Sequence, residues 1–153
     1  MQLKMQTDYA VRILLFLSSA HGLVTMQELS ERLGITKTTI PRTLHMLRRG
    51  GLVRSESGIS GGYRLAKPPG SITLLDVMEL SEDSIKINRC LEEDRFCSRN
   101  AAGHCAVHDI YAGYQEMAER YFGSITIADL LEKDAAAKLQ ARARNSLKAG
   151  AGG

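Results

Sequence analysis

Cysteine is scarce in this sequence, and tryptophan is absent. All three cysteines fall between Arg89 and His108, so the chain has neither the even count nor the spread of thiols that a disulfide framework requires. No C-x2-C pair occurs, which argues against the paired knuckles of zinc fingers and zinc ribbons. The thiols therefore belong to one loop and not to the scaffold of the fold.

Long apolar runs are also missing. The longest, residues 13–17, is much shorter than the roughly 20 residues that span a bilayer. The stretch MQLKMQTDYAVR lacks the basic start, apolar middle and small-residue cleavage site of a signal peptide. We therefore expect a cytoplasmic protein with no membrane partner. In that compartment, clustered cysteines favour metal or redox chemistry over structural disulfides.

The net charge of +3 averages over an asymmetry. Residues 1–70 contain ten Lys and Arg against four Asp and Glu, whereas residues 71–153 contain ten against thirteen. A basic front half suggests contact with a polyanion, although the same charges can simply solvate the surface. Neither a cofactor-binding loop nor a histidine–acid arrangement accompanies the cysteines, so the sequence does not favour an enzyme.

Helical periodicity and capping signals predict a helix-turn-helix in the front half. Thr7 is a candidate cap for a first helix, and Thr25 begins a capping-box pattern for a second. The next apolar pattern carries many basic residues and contains Pro41. Proline is tolerated in the first turn of a helix but not in its interior, so we expect this third helix to be capped at Thr38 or Thr39.

A hairpin is predicted directly after the basic helix. Two β-prone runs, residues 52–54 and 63–65, flank the Gly- and Ser-rich segment SESGISGG. This order is typical of a winged helix-turn-helix, here residues 1–70, whose basic helix enters the major groove while the wing contacts the DNA backbone. The predicted DNA-binding residues are Thr38, Thr39, Arg42, Thr43, His45, Arg48, Arg49, Arg54, Ser60, Gly61, Gly62, Tyr63 and Arg64.

The rear half is predicted to be helical on both sides of the cysteine loop. Thr73 caps a short helix, a helix of about four turns spans residues 106–122, and Thr126 caps a last helix through Leu131. Residues 134–153 are expected to form a flexible tail that is helical at most in its Ala-rich part. The long helix carries an apolar stripe formed by Ile110, Tyr114, Met117 and Tyr121.

The cysteine loop has the spacing Cys90-x6-Cys97-x7-Cys105. Three thiolates on one flexible loop can hold an iron–sulfur cluster when a fourth ligand comes from elsewhere. His108 is a candidate because it lies one turn after Cys105 and can share its face; His104 or a carboxylate from another element are alternatives. A structural zinc ion, a thiol switch or buried thiols without chemistry are the other interpretations.

The chain resembles the family of iron–sulfur-dependent winged-helix regulators that includes IscR, NsrR and RirA. The matching stretches are TDYAVRILLFL, LGITKTTIPRTLHMLRRGGLV, SGISGGYRLAKP, SITLLDVME, the three-cysteine loop and SITIADLL. The resemblance covers residues 1 to about 133. It implies a mostly α fold, a winged helix-turn-helix with a two-stranded wing and a long C-terminal dimerisation helix. It also implies a homodimeric regulator of double-stranded operator DNA, which we expect to act as a repressor.

The same resemblance implies an iron–sulfur cluster, of the 2Fe-2S or 4Fe-4S type, held within residues 71–133 by Cys90, Cys97 and Cys105. Two fourth ligands occur in the family: a histidine that matches His108, and an aspartate in the first helix of the partner subunit that matches Asp8. Both residues are present, so the ligand set stays open. We expect the cluster to sense iron, redox state or nitric oxide. The rival predictions are a zinc- or thiol-responsive repressor, and an interaction module that regulates an enzyme without binding DNA.

Overall fold

Six α-helices and a two-stranded sheet form the part of the chain that the computed structural model describes, residues 2–101 and 103–150. Two 3-10 turns, Pro69–Ser71 and Arg89–Leu91, complete it. The mostly α prediction with a two-stranded wing is therefore confirmed. In chain order the elements are α1 (Met5–Ser19), α2 (Met26–Leu33), α3 (Thr39–Arg49), β1 (Val53–Glu56), β2 (Gly62–Leu65), α4 (Leu74–Ser81), α5 (Ala106–Gly123) and α6 (Ile127–Gly150).

The helix-turn-helix forms around the caps that the sequence predicts. Oγ1 of Thr25 accepts a hydrogen bond from the backbone N–H of Glu28 at 3.2 Å, at the start of α2. Gly34 ends α2 with a left-handed φ of 63°, a conformation that glycine adopts without strain. Thr38 occupies the cap position of α3 without a side-chain cap hydrogen bond, and Pro41 lies in the first turn, where proline is tolerated.

The first helix begins earlier than predicted. It starts at Met5, so the proposed cap at Thr7 is wrong. Thr7 is only 3% exposed, and its hydroxyl lies 2.8 Å from the hydroxyl of Ser81 at the end of α4. A distant element thus satisfies a polar group that local sequence assigns to a cap.

One hydrophobic core joins the front and rear halves. Ile13 of α1 lies in the same buried cluster as Ile72 and Val77, which bracket the start of α4, and Ile127 at the start of α6. α1 contacts α3 of the front half and both α4 and α6 of the rear half. The division into residues 1–70, 71–133 and 134–153 stays a prediction. Within the described residues, the buried core cluster contains side chains from both the first and the second of these segments.

The last helix is longer than predicted. Its cap forms as expected, because the backbone N–H of Asp129 donates to Oγ1 of Thr126 at 3.1 Å and the Asp129 carboxylate accepts from the Thr126 N–H at 2.8 Å. α6 then continues to Gly150 and does not end near Leu131, since its Ala-rich sequence has a high helix propensity. The segment predicted to be a flexible tail, residues 134–153, is therefore helical as far as Gly150. Residues 151–153 lie outside the described residues.

The wing is attached to the connection between α1 and α2. β1 and β2 are antiparallel, with Val53 opposite Leu65. On the other edge of β2, Tyr63 exchanges two backbone hydrogen bonds with Val24, at 2.8 and 3.0 Å. β2 is thereby paired on both of its edges, whereas residues 57–60 at the tip of the hairpin are exposed.

Gly62→Ala should displace the wing. A Cβ at Gly62 would lie 2.8 Å from the carbonyl oxygen of Val24 and 3.1 Å from Cβ of Leu23, so backbone must move. We expect a loss of about 1–3 kcal/mol in the free energy of unfolding, measured by urea denaturation. Gly22→Ala is the control, because nothing lies within 4 Å of its added Cβ. Equal destabilisation of both variants would contradict this role.

Candidate DNA interface and cysteine site

α3 divides into a buried face and a solvent face. Ile40, Leu44 and Leu47 enter the core, whereas the side chains on the other face are exposed. Thr43 falls on the buried face: it is 0% exposed, and its hydroxyl donates to the carbonyl oxygen of Thr39 at 3.2 Å. The prediction that Thr43 contacts DNA is therefore corrected. Of the residues predicted there, Thr39 is half-buried, and the exposed ones are Thr38, Arg42, His45, Arg48 and Arg49.

A group of hydroxyls marks the amino end of α3. Oγ1 of Thr36 lies 3.1 Å from Oγ1 of Thr38 and 2.8 Å from Oγ1 of Thr39. Thr36 is not among the DNA-binding residues predicted from the sequence, although the run TKTT was the available signal. Hydroxyls at a helix amino terminus can donate to phosphates and to base edges, which suits the end of a helix that enters a major groove.

The arginines of α3 have no acidic partners. Among the ion pairs of the described residues, none within 4.0 Å involves Arg42, Arg48, Arg49 or Arg54. Arg64 differs, because it pairs with Glu56 across the wing. The solvent face of α3 therefore presents positive charge that no carboxylate of the described residues pairs with, while the charge of Arg64 is partly neutralised.

The predicted wing residues fall into two groups. Ser60 is exposed near the tip, beside the fully exposed side chain of Ile59, which sequence reasoning did not select. Gly61 and Gly62 are needed for the shape of the hairpin, since a Cβ on Gly61 would lie 2.5 Å from the carbonyl oxygen of Glu56. Tyr63 is half-buried in β2. The tip is thus the part of the wing that is free to meet DNA.

Arg48→Ala should weaken DNA binding through phosphate charge. We expect similar losses on unrelated DNA sequences, and a decrease of about 1 in the slope of log affinity against log salt. Fluorescence anisotropy at several salt concentrations measures both. Arg120→Ala removes the same charge from an exposed position on α5 and should leave the slope unchanged. An unchanged slope for Arg48→Ala would place Arg48 away from the phosphates.

The cysteine loop brings two predicted ligands together. Cys90 lies in the 3-10 turn Arg89–Leu91, and Cys105 is the residue that precedes α5. All three cysteines are free and half-buried. Nδ1 of His108 lies 3.4 Å from Sγ of Cys90. Within residues 2–101 and 103–150, no three Cys, His, Asp or Glu side chains gather into a metal-binding group, so Cys97 does not complete a set around this pair.

The Cys90–His108 pair has the separation of metal ligands. Sulfur and nitrogen bound at their usual lengths to one tetrahedral ion lie about 3.5 Å apart, which is close to the observed 3.4 Å. The distance suits iron and zinc alike, and it also suits a hydrogen bond. The chemistry of the donor set, three thiols and an imidazole, fits an iron–sulfur cluster.

Cys97 lies in a turn that favours its thiolate. Backbone N–H groups of Ala101 and Arg99 hydrogen-bond the sulfur and, together with the charge of Arg99, lower the pKa of the Cys97 thiol. Asn100 adopts a left-handed φ of 50° within this turn. The thiolate is the form that binds metals and reacts with oxidants, so the turn prepares Cys97 for either chemistry.

Asp8 lies apart from the cysteines in its bonding. Its carboxylate pairs with Arg12 on the next turn of α1 at 2.7 Å, and both side chains are about half exposed. Within one chain it therefore joins no other predicted ligand. If Asp8 is a ligand, the Asp8 of one subunit must bind the cluster held by the cysteines of the other subunit, as the family resemblance implies.

The apolar stripe of α5 is exposed. Ile110, Tyr114, Met117 and Tyr121 are between 49% and 72% exposed. At 100° per residue they project from the side of α5 roughly opposite to His108. Large contiguous apolar patches on a protein surface usually mark an interface.

These features define a winged-helix DNA-binding protein whose three thiols lie in one loop outside the winged helix. Residues 3–133 match the model of the Rrf2 family, described as an iron-dependent transcriptional regulator. The chain therefore belongs to the Rrf2 family of transcriptional regulators. The resemblance to IscR-like and NsrR-like regulators is confirmed, and these relatives are transcriptional regulators.

Known relatives cover most of the chain. The transcriptional regulator NsrR of Shouchella clausii is 32% identical over 147 residues, which is 92% of this chain and 96% of that protein. The structure of T. potens IscR has a TM-score of 0.68 and 25% identity, and covers 88% of each chain. CymR, the global cysteine regulator of B. subtilis, has a TM-score of 0.69 at 20% identity over 87% of this chain and 98% of its own, which shows the fold alone.

The comparisons support DNA-binding regulation, and they do not favour the interaction module without DNA. Among the helices of residues 2–101 and 103–150, none combines the length and the hydropathy needed to cross a membrane.

Proposed function

We propose that the protein is a homodimeric repressor that binds operator DNA in the cytoplasm and responds to iron, redox state or nitric oxide through an iron–sulfur cluster. The observation that carries this proposal is the contact between Cys90 and His108, within the loop that contains every thiol of the chain. A bound cluster supplies a link between thiols that iron loss, oxidation or nitrosylation breaks.

The chain offers Cys90, Cys97, Cys105 and His108 for a 2Fe-2S or 4Fe-4S cluster, with the partner subunit's Asp8 as the alternative to His108. Gathering the thiols requires the loop to change its path. Little opposes that change, because its side chains are mostly exposed and the ion pair between Arg89 and Asp94 lies at the surface, where such pairs contribute little stability.

The start of α1 links α3 to residues 82–83, which lead from α4 toward the cysteine loop. The Lys4 N–H donates to Oε1 of Glu82 at 2.8 Å, and the Lys4 ammonium pairs with Asp83 at 2.7 Å. Two residues on, Nε2 of Gln6 donates to Sδ of Met46 on α3 at 3.3 Å. A movement of the segment that leads into the loop can therefore reach α3 through this single turn.

Dimerisation turns such a movement into a change of affinity. The exposed stripe of α5 suits pairing with a second copy, and a dimer reads half-sites about 34 Å apart. A small change in the spacing of the two α3 helices then alters how many contacts form at once. The two cluster states must bind DNA with different affinities for regulation to occur.

Anaerobic reconstitution with iron and sulfide tests the proposal. We expect a coloured protein with the absorption and Mössbauer spectra of an iron–sulfur cluster, and altered spectra in whichever of His108→Ala and Asp8→Ala removes the fourth ligand. A colourless protein with stoichiometric zinc would replace this function with a zinc-responsive one. Spectra that neither substitution alters would reject both fourth ligands.

A thiol-responsive repressor is the second candidate, and the environment of Cys97 favours it. The backbone N–H groups that lower the pKa of this thiol favour the thiolate, which is the form that reacts with peroxide. In that case metal-free protein should lose DNA affinity on peroxide treatment, and Cys97→Ser should abolish the response. Metal-free protein that ignores peroxide would leave the cluster as the sensor.

A further inference from the structure

We propose that Gln115 is the positioning residue that holds residues 85–87 on α5 and thereby keeps Cys90 beside His108. The use of that pair as ligands rests on the proposed function, whereas the positioning itself does not. Gln115 touches neither Cys90 nor His108 in this role, and it acts through the backbone that leads to Cys90.

Gln115 is the only buried residue of α5, whose 18 residues are all described. It is 6% exposed, and its amide is fully engaged. Oε1 accepts the backbone N–H of Ile87 at 3.0 Å, while Nε2 donates to the backbone carbonyl of Ile85 at 3.2 Å and to Oε1 of Glu119 at 2.9 Å. The side chain thus bonds both an N–H and a C=O of the backbone of one short segment.

A second contact reinforces the same attachment. Nζ of Lys86 donates to Oε1 of Glu119 at 2.6 Å. The hydrogen bonds from Lys86 and Gln115 lower the pKa of Glu119, so this carboxyl stays charged. Three consecutive residues, 85–87, are therefore bonded to two consecutive turns of α5.

The attachment of residues 85–87 limits how far Cys90 can move from His108. His108 and Gln115 are seven residues apart, so they lie about two turns apart on the same face of α5. Cys90 follows Ile87 by three residues. A short loop is thus closed at one end by Gln115 and at the other by the 3.4 Å contact between Cys90 and His108. Freeing the first end lets Cys90 move away from the imidazole.

Residues that orient metal ligands without touching the metal usually change metal affinity when replaced. The typical loss is roughly ten- to a hundredfold. We expect Gln115→Leu, which keeps the volume but none of the three hydrogen bonds, to shorten cluster retention against a chelator by about tenfold or more. Gln115→Glu keeps the acceptor for Ile87 but places a carboxylate oxygen against the Ile85 carbonyl and the Glu119 carboxylate, so it should also shorten retention. Glu116→Gln, at the exposed neighbouring position, is the control.

The decisive experiment uses metal-free full-length protein, so that it does not depend on a cluster. NMR of the His108 ring should show a shift when Cys90 is replaced by serine, because the two side chains touch. In the Gln115→Leu background the same Cys90→Ser replacement should shift the ring much less. Hydrogen exchange at residues 85–91 should accelerate in Gln115→Leu and stay unchanged in Glu116→Gln.

An equal His108 response to Cys90→Ser with and without Gln115 would overturn the proposal, as would unchanged exchange at residues 85–91. Gln115→Glu provides the same comparison if Gln115→Leu folds poorly. A wild-type chain that shows the NMR coupling yet binds no cluster would reject the proposed function and leave the positioning role standing.

Discussion

Ile110→Glu combined with Met117→Glu should convert the protein to a monomer and lower operator affinity by roughly 10²–10⁴-fold. Both side chains lie on the exposed stripe of α5, and two carboxylates there oppose burial against a second copy. The loss is large because, in a dimer, binding of the first winged helix raises the effective concentration of the second at its half-site, and a monomer lacks this gain. Analytical ultracentrifugation gives the assembly state, and anisotropy gives the affinity.

The control for this variant is Glu116→Lys, which changes the charge of α5 at an exposed position outside the stripe. It should remain dimeric with operator affinity within a few-fold of the wild type. A stripe variant that stays dimeric would move the interface elsewhere. A monomer that binds the operator as tightly as the wild type would separate dimerisation from DNA reading.

Ile13→Ala should destabilise the whole chain by about 2–5 kcal/mol, in one unfolding transition. Ile13 is fully buried on α1, in the cluster that contains α3 from the front half and Val77 from the rear half. Ile59→Ala is the matched control, since that isoleucine is fully exposed at the wing tip and should change stability by at most about 0.5 kcal/mol. Urea denaturation followed by circular dichroism measures both.

A second transition in Ile13→Ala would contradict the common core. It would show that residues 1–70 and 71–133 unfold separately. The contacts that link residues 82–83 through the start of α1 to α3 would then not lie in one rigid unit. A loss below about 1 kcal/mol would show that the site can collapse around the missing atoms.

Local signals predicted most of the fold. The side-chain caps at Thr25 and Thr73 depend on residues three positions away, and α3 begins directly after Thr38, so each helix starts where expected. Thr7 and Thr43 are of the same residue type, yet both are buried. Their partners and neighbours come from the packing of α1 and α3 into the core, which no local pattern contains.

The cysteine site shows the same division. The sequence locates every thiol in one loop and places His108 one turn after Cys105. The structure instead puts the imidazole against Cys90, because the path of the loop depends on two left-handed residues, Arg95 and Asn100, and on the attachment at Gln115. Spacing of x6 and x7 carries no information about such turns, so it offers candidate donors but does not predict which two of them meet.

Sensing through the thiols is most directly tested by replacing Cys90, Cys97 and Cys105 with serine and measuring operator affinity with and without air. Wild-type protein prepared anaerobically with iron and sulfide should change affinity on exposure to air, whereas the triple variant should bind no iron and show one affinity under both conditions. A triple variant that still responds to air, or a wild type that does not respond although it carries a cluster, would contradict the account.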